Sequence, residues 1–209
     1  MLRLLLAAAL AFGFARIGFA ADTGVGNPAG MTPSAPQAAP GVPAPPVLNP
    51  ADRLFIRELT IGGTAEIQNG RLAEERGGAD AVKAFGRDMV ADHSKAGDQL
   101  SAIAKADGIA PPDRLDEQHR MMRAMLEGLN GRNFDLAYIR GQVTDHQQAA
   151  QLLEWEIGSG ENARLKSFAA NTLPIVLGHL ERARDLATQL AAQTAASAIS
   201  RPAPANSAR

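Results

Sequence analysis

The chain of 209 residues contains no cysteine, one tryptophan and one tyrosine. The absence of cysteine excludes disulfides, thiolate metal sites, a cysteine nucleophile and a lipid-modified cysteine. Aromatic residues make up only 4% of the chain, which disfavours β-sheet because strands draw on aromatic and β-branched side chains. Basic residues are not in surplus either, with 21 Lys and Arg against 22 Asp and Glu. This balance argues against a nucleic-acid partner.

Residues 1–20 have the pattern of a secretory signal peptide. Arg3 precedes an apolar run over residues 4–14, which is shorter than the roughly 20 residues that a transmembrane helix needs. Small residues around Ala20 offer a cleavage site, although Arg16 interrupts the pattern. The alternative is an anchor that is retained. The short run favours cleavage, so we expect a periplasmic or secreted protein without a stable transmembrane segment after processing.

Composition divides the rest of the chain into three parts. Residues 21–48 are rich in proline and alanine, and we expect them to form a disordered tether, because such a segment has little to bury. Residues 192–209 are rich in alanine, serine and proline and predict a loose tail. Residues 49–191 remain, and their length is that of one domain with a real core.

Hydrophobic periodicity within residues 49–191 predicts four long helices and a short one. Gly62-Gly63 falls inside the first helix and predicts close helix packing, and Pro174 predicts a kink in the last. Two tight turns create two antiparallel pairs, which a longer connection joins. The fold class is therefore all-α, a ferritin-like four-helix bundle with an extra short helix in the crossover connection. The predicted helices cover Pro50 to the Gly77-Gly78 break, then about 80–105, 113–129, 133–157 and 161–191.

Each long helix carries one metal-competent side chain near the middle of its apolar stripe. These four residues are Glu66, His93, His146 and His179. A buried ionisable group is costly unless it has partners, and one such group per helix is how bundles build metal sites. Counted from the turns, Glu66 and His93 differ by about 4.5 Å in level, and His146 and His179 by about 9 Å. Because helical side chains lean toward the N-terminus, the spacing is compatible with a shared site.

Three neutral imidazoles and one carboxylate suit Fe, Mn, Zn or Cu rather than Ca or Mg. The set is poor in carboxylates for a di-iron centre, so we predict a single transition-metal ion and no nucleotide or haem. The alternative is a buried Glu–His network that only specifies packing.

Other polar residues near the stripes are candidates for contacting the ligands. Tyr138 and Gln142 are the first of these, with Asp92 and Asp145 as further options. Each aspartate directly precedes a histidine and points about 100° away from it, which favours a surface or edge position.

His119 has no companion ligand on its helix face, so we expect it to pack or to be exposed. Met121, Met122 and Met125 lie on the same short helix. A methionine cluster attracts Cu(I) in some settings, but methionine at helical spacing is usually core filler, and Trp155 is most simply a packing residue.

Four groups of motifs follow one another along the chain: Phe55 to Ala73, Val82 to Phe85 leading to Met89 to His93, Phe134 to Tyr138 leading to His146, and Leu165 to Phe168 leading to Leu173-Pro174 and His179-Leu180. Their order resembles the bacterial family called domain of unknown function 4142, over about Asp52 to Ala187. The resemblance implies a ferritin-like fold and an exported protein, and it implies no activity. The matching positions include the four residues above, whose role as ligands rests on the stripes alone.

Two functions follow from different readings of the same residues. The first is an exported metal-binding bundle acting in envelope stress or metal handling; if it is an enzyme, it is a metal-dependent oxidoreductase. The second is a structural or interaction protein of the cell envelope, whose buried polar residues only fix the packing. Envelope partners are compatible with both, and the sequence does not define the oligomeric state.

Overall fold

The computed structural model describes residues 48–199, which form five helices and no strand. The predicted signal peptide, the tether up to residue 47 and the tail beyond residue 199 lie outside the described residues. Within residues 48–199, no helix combines the length and the apolar character that a membrane crossing requires. The helices are α1 (Pro50–Arg76), α2 (Asp80–Ala106), α3 (Glu117–Glu127), α4 (Gly131–Ser159) and α5 (Ala163–Ile199).

Local capping explains most of these bounds. Asn49 caps α1 by accepting a hydrogen bond from the backbone N–H of Asp52 at 2.8 Å, and proline follows at the first helical position. The short helix α3 begins four residues later than expected, because Asp116 caps it through the N–H of His119 at 2.9 Å. At the other end, α5 continues through Pro174 to Ile199, so residues 192–199 of the expected tail are helical.

The four long helices share a core that consists of two apolar clusters. The first cluster includes Phe55, Leu100, Leu153 and Phe168, one residue from each long helix. The second includes Leu72, Phe85, Phe134 and Leu186, again one from each. Along α1 and α5 the first cluster precedes the second, whereas along α2 and α4 the order is reversed. The two outer helices in sequence therefore run one way and the two inner ones the other.

Helix contacts complete the arrangement. The helix pairs α1–α2 and α4–α5 pack along each other, α1 also contacts α4, and α2 contacts α5. The connection from α2 to α4 must lead back along the bundle, because these helices run in the same direction. It contains α3, which packs against α1 and α4.

The backbones of α1 and α2 approach each other closely at Gly70 and Gly86. A Cβ added to either residue would lie 2.7 Å from the carbonyl oxygen of the other. Only glycine permits this backbone contact. The expected close packing at Gly62-Gly63 is wrong: a Cβ at Gly62 would meet nothing within 4 Å, and one at Gly63 only His93 Nδ1 at 4.0 Å.

This difference predicts opposite effects of the same substitution at two sites. We expect Gly86→Ala to lower the free energy of unfolding, because the new methyl group would clash with Gly70 and with Ala73. We expect Gly62→Ala to raise it by about 0.5–1 kcal/mol, the usual gain of alanine over glycine inside a helix. Urea unfolding of both variants measures the effect, and a stabilising Gly86→Ala would contradict the close contact.

Each tight turn is held by an aspartate from the opposite helix pair. The carboxylate of Asp135 on α4 accepts hydrogen bonds from the N–H groups of Gly78 and Ala79 at 2.9 and 3.0 Å. Asp52 on α1 accepts from those of Glu161 and Asn162 at 3.2 and 3.1 Å. These bonds satisfy N–H groups at or just before the starts of α2 and α5, which have no partner within their helices. They also lock the two pairs together at both ends.

A second carboxyl, that of Glu156, is fully buried beside Asp52. Burial, followed by the charge of Asp52, raises the pKa of Glu156 to about 8, and Lys166 opposes the shift. Burial also raises the pKa of Asp52, against the two backbone hydrogen bonds that it accepts. Glu156 therefore holds its proton at neutral pH in the folded protein, although it loses it in the unfolded chain.

A raised pKa in the folded state makes stability depend on pH. The contribution of Glu156 is complete below its ordinary pKa of 4.5 and is lost as the pH rises through about 8. We expect Glu156→Gln to remove this loss, so that the variant gains on the parent by roughly 3–4 kcal/mol between pH 5 and pH 8.5, at about 1.4 kcal/mol per pH unit between the two pKa values. Urea unfolding across this range measures it. The exposed Glu154→Gln serves as the control, and parallel pH profiles of Glu156→Gln and the parent would refute the assignment.

Candidate metal centre

Three histidines from three different helices meet between the two apolar clusters. One nitrogen each of His93, His146 and His179 lies within 4.8 Å of the other two. The ring centroids are 5.4–5.7 Å apart. The level difference between His146 and His179 that counting from the turns suggested is thus closed, since these two centroids are 5.4 Å apart. His146 and His179 are almost fully buried, and His93 is partly so.

The outward nitrogens of two rings have hydrogen-bond acceptors. Nδ1 of His146 donates to the carbonyl oxygen of Gln142 at 3.0 Å, one turn earlier on α4. Nε2 of His179 donates to Oδ2 of Asp92 at 2.9 Å. Because a neutral imidazole has one N–H and one lone pair, these acceptors assign the tautomers. They leave the lone pairs of His146 Nε2 and His179 Nδ1 free.

Each of the three rings has one buried nitrogen without a hydrogen-bond partner. These atoms are His93 Nε2, His146 Nε2 and His179 Nδ1. In His146 and His179 they carry the free lone pairs, and two acceptors cannot satisfy each other. Buried polar atoms without partners are rare in folded proteins. The cluster is therefore arranged to bind an electron-pair acceptor.

The electrostatic setting keeps the imidazoles neutral. Burial, followed by the neighbouring His146 and His179, lowers the pKa of His93 to about 3. Burial also lowers the pKa of His146 and of His179, although the hydrogen bonds to Gln142 and Asp92 oppose the shift. Neutral imidazole is the form that binds a metal, so protons do not compete for these sites near neutral pH.

Glu66 lies beside this cluster but does not join it. Its Oε2 accepts a hydrogen bond from Gln142 Nε2 at 2.6 Å, and its Oε1 lies 3.9 Å from His146 Nδ1, the outward nitrogen. Burial raises the pKa of Glu66 to about 7, against the hydrogen bond from Gln142. The carboxylate thus faces the back of His146, and Gln142 links it to the cluster by contacting both residues.

The other sequence candidates occupy distinct positions. The hydroxyl of Tyr138 is buried without a partner, and burial followed by the charges of Glu66 and Asp145 raises its pKa well above 10. Burial, followed by the charge of Glu66, raises the pKa of Asp145 to about 6. His119 lies apart from the three histidines, where its Nδ1 contacts Asp116 Oδ1 at 2.7 Å. Trp155 belongs to the first apolar cluster, as expected of a packing residue.

The methionines of α3 do not form a common core. Met121 and Met125 are 62% and 46% exposed, whereas Met122 packs against the second apolar cluster. The expectation that all three fill the core is therefore wrong for the two exposed residues.

Asp92 makes the contact that was hardest to predict from the sequence. It does point away from its neighbour His93, and it is half-exposed, as the helix geometry requires. That direction carries it to His179 on α5. The only signal in the sequence was its position beside a candidate ligand, because the helix that it faces depends on the packing of α2 against α5.

The class of protein is thus an all-helical bundle with three converging histidines. The chain belongs to the family described as Domain of unknown function (DUF4142), whose model matches residues 37–186. Its fold is similar to that of the crystal structure of a DUF305 fragment from Deinococcus radiodurans, with a TM-score of 0.61 and 15% sequence identity. That match covers 68% of this chain and 99% of the other. No curated protein matches the chain.

The contact between Gln142 and Glu66 generates a stability prediction. We expect Gln142→Leu to lower the free energy of unfolding by about 1–3 kcal/mol, because it leaves the buried Glu66 carboxyl without its donor. Urea unfolding measures the change. Gln147→Leu, at an exposed position of the same helix, is the control and should stay within about 0.5 kcal/mol of the parent. Equal effects of the two variants would show that the buried bond contributes nothing.

Proposed function

We propose that the protein binds one transition-metal ion through His93, His146 and His179. The observation that carries the proposal is the pair of buried lone pairs, on His146 Nε2 and His179 Nδ1, within a group of nitrogens that lie within 4.8 Å of one another. A cation at their centre would satisfy both at once. The outer bonds to Gln142 and Asp92 are of the kind that orient metal-binding histidines, in which the second ring nitrogen donates to a carbonyl or carboxylate.

The donor set defines the class of metal. Three neutral imidazoles suit Zn, Cu, Fe or Mn and offer little to Ca or Mg, which prefer oxygen ligands. Three protein ligands also leave a position on the ion for a further molecule, as in catalytic rather than structural zinc sites. Glu66 would act on the ion through His146 and Gln142, since its carboxylate lies behind the ring.

The setting of this site belongs to the same proposal. A ferritin-like bundle is supported by two features, the long connection that carries α3 and the midpoint position of the site among four long helices. Export to the periplasm or beyond is supported by the signal-peptide pattern of residues 1–20. Metal handling in the envelope follows from these two inferences together.

Metal content of the untagged protein tests the proposal. After dialysis against Zn(II) or Co(II), we expect elemental analysis to find about one ion per chain, and we expect binding to raise the unfolding free energy by about 2.7 kcal/mol at a hundred times the dissociation constant. The double variant His93→Ala/His146→Ala should lose both effects. His119→Ala, which removes the one histidine outside the cluster, should keep both.

An unchanged metal content in the double variant would contradict the proposal. It would favour the alternative, in which the buried Glu–His network only fixes the packing of an envelope protein. A specific observation supports that alternative, because the hydrogen bonds of Gln142 and Asp92 already link α1 with α4 and α2 with α5.

The outer hydrogen bond of His179 gives a finer test. We expect Asp92→Asn to weaken metal binding by about 10–100-fold, because the carboxylate orients the imidazole and increases its basicity. Asp88→Asn is the matched control: Asp88 lies one turn earlier on α2 and pairs with Arg182 at 2.7 Å. Competition with a colorimetric chelator measures both affinities. Equal losses in the two variants would indicate a general charge effect rather than orientation of His179.

A further inference from the structure

A cavity of about 840 Å³ opens beside the histidine cluster. His93 and His146 lie in its wall, together with Glu66. The cavity extends to the connection between α2 and α3, where Pro111 and Pro112 line it. Its volume falls within the range of about 300–1,000 Å³ that is usual for small-molecule sites. The cavity is therefore much larger than a channel that admits only water.

Glycines keep this space open next to the histidines. Gly62, Gly63 and Gly97 all line the cavity, and each lies in the interior of a long helix. A Cβ at Gly62 or at Gly97 would meet nothing within 4 Å, and one at Gly63 would come no closer than 4.0 Å to His93 Nδ1. Glycine inside a helix costs roughly 0.5–1 kcal/mol relative to alanine. No close contact requires these glycines. Gly62 is half-buried and Gly97 is exposed, so they leave free volume in the wall and at the mouth of the cavity, one turn from Glu66 and His93.

The lining combines apolar walls with an uncharged polar rim. Gln118, Gln148 and Gln151 are exposed residues at its edge, and Thr60 and Thr64 also line it. Such a mixture is typical of sites for small organic molecules, in which apolar surface supplies affinity and a few polar groups supply orientation. The apolar walls are formed by Leu54, Leu59, Leu100, Leu152, Phe168 and Val176.

The charges of the lining disfavour anions. Among its residues, all within the described part of the chain, Glu58, Glu66 and Asp145 carry carboxyl groups, and neither lysine nor arginine occurs. His119 also lines the cavity, but its Nδ1 contacts the carboxylate of Asp116. Sites that bind small anions usually present cationic side chains or converging backbone N–H groups. A divalent ion on three neutral histidines would be offset by the nearby carboxylates, so an uncharged ligand is the best electrostatic match.

We propose that this cavity admits an uncharged organic molecule whose nitrogen or oxygen donor atom occupies the remaining position on the metal. The inference rests on the proposed metal site and extends it, because it names the class of ligand and the route by which that ligand arrives. The α1 glycine Gly62 and the α2 glycine Gly97 keep the route open, and the carboxylates select against anions.

Pyridine and azide, an uncharged and an anionic donor, serve as probes of the Co(II)-loaded protein. We expect pyridine to produce a saturable change in the visible absorption of the cobalt ion. Gly62→Leu should weaken pyridine binding at least tenfold, because the side chain fills the cavity, and Gly97→Leu should act in the same direction from the α2 side. Gly158→Leu, at an exposed helix glycine with nothing within 4 Å, is the control for size and helix propensity and should leave the affinity unchanged.

A further variant tests the effect of the lining carboxylates on anion binding. We expect Asp145→Asn to raise the affinity for azide relative to that for pyridine several-fold, because it removes one carboxylate from the lining. Cobalt stoichiometry is measured for every variant and should stay at about one per chain. A parent protein that binds no cobalt would overturn the metal site itself. If the Gly62→Leu and Gly97→Leu variants bind cobalt and still bind pyridine with undiminished affinity, the cavity is not the route to the metal. If Asp145→Asn leaves the ratio of azide affinity to pyridine affinity unchanged, the carboxylates do not select against anions.

Discussion

The burial of polar imidazoles at the middle of an apolar bundle is the constraint on which the rest of this structure depends. Near its middle, each long helix carries one of Glu66, His93, His146 and His179, between its residues of the first cluster and those of the second. A buried imidazole must find partners for two nitrogens. Gln142 and Asp92 each accept from one ring nitrogen, which leaves one buried nitrogen of His146 and one of His179 without a partner.

The surroundings of the three histidines are not the same for each residue. Behind His146, the carboxyl of Glu66 and the amide of Gln142 form a closed, buried hydrogen bond. Beside His93, the glycines of α1 and α2 leave open space that leads to the surface. The hydrogen bonds to Gln142 and Asp92 hold His146 and His179 in position, and the cavity, which Glu66 also lines, gives access to His93 and His146. A site with this division is suited to binding an ion together with an exchangeable ligand.

Periodicity alone located the five helices, and proline and glycine located most of their ends, because capping and helix termination are local properties. Periodicity did not predict the contacts between two helices. A pair of adjacent glycines at Gly62-Gly63 looked like a packing contact, yet the backbones approach at Gly70 and Gly86, which lie on different helices. The position of a glycine on its own helix does not reveal what lies opposite. The same limit applies to Asp92, whose partner is a residue 87 positions later.

The sequence by itself determined that one metal-competent side chain would lie near the middle of each apolar stripe, and that the absence of cysteine leaves histidine and carboxylate as the main metal-binding groups. Tertiary structure alone decided which of these residues converge. The register and side-chain conformations of α2, α4 and α5 bring three histidines within 4.8 Å, whereas Glu66 turns to Gln142 and the back of His146. The physical reason is that convergence depends on helix level and side-chain direction to within a few ångströms, and these follow from the packing of distant segments rather than from local spacing.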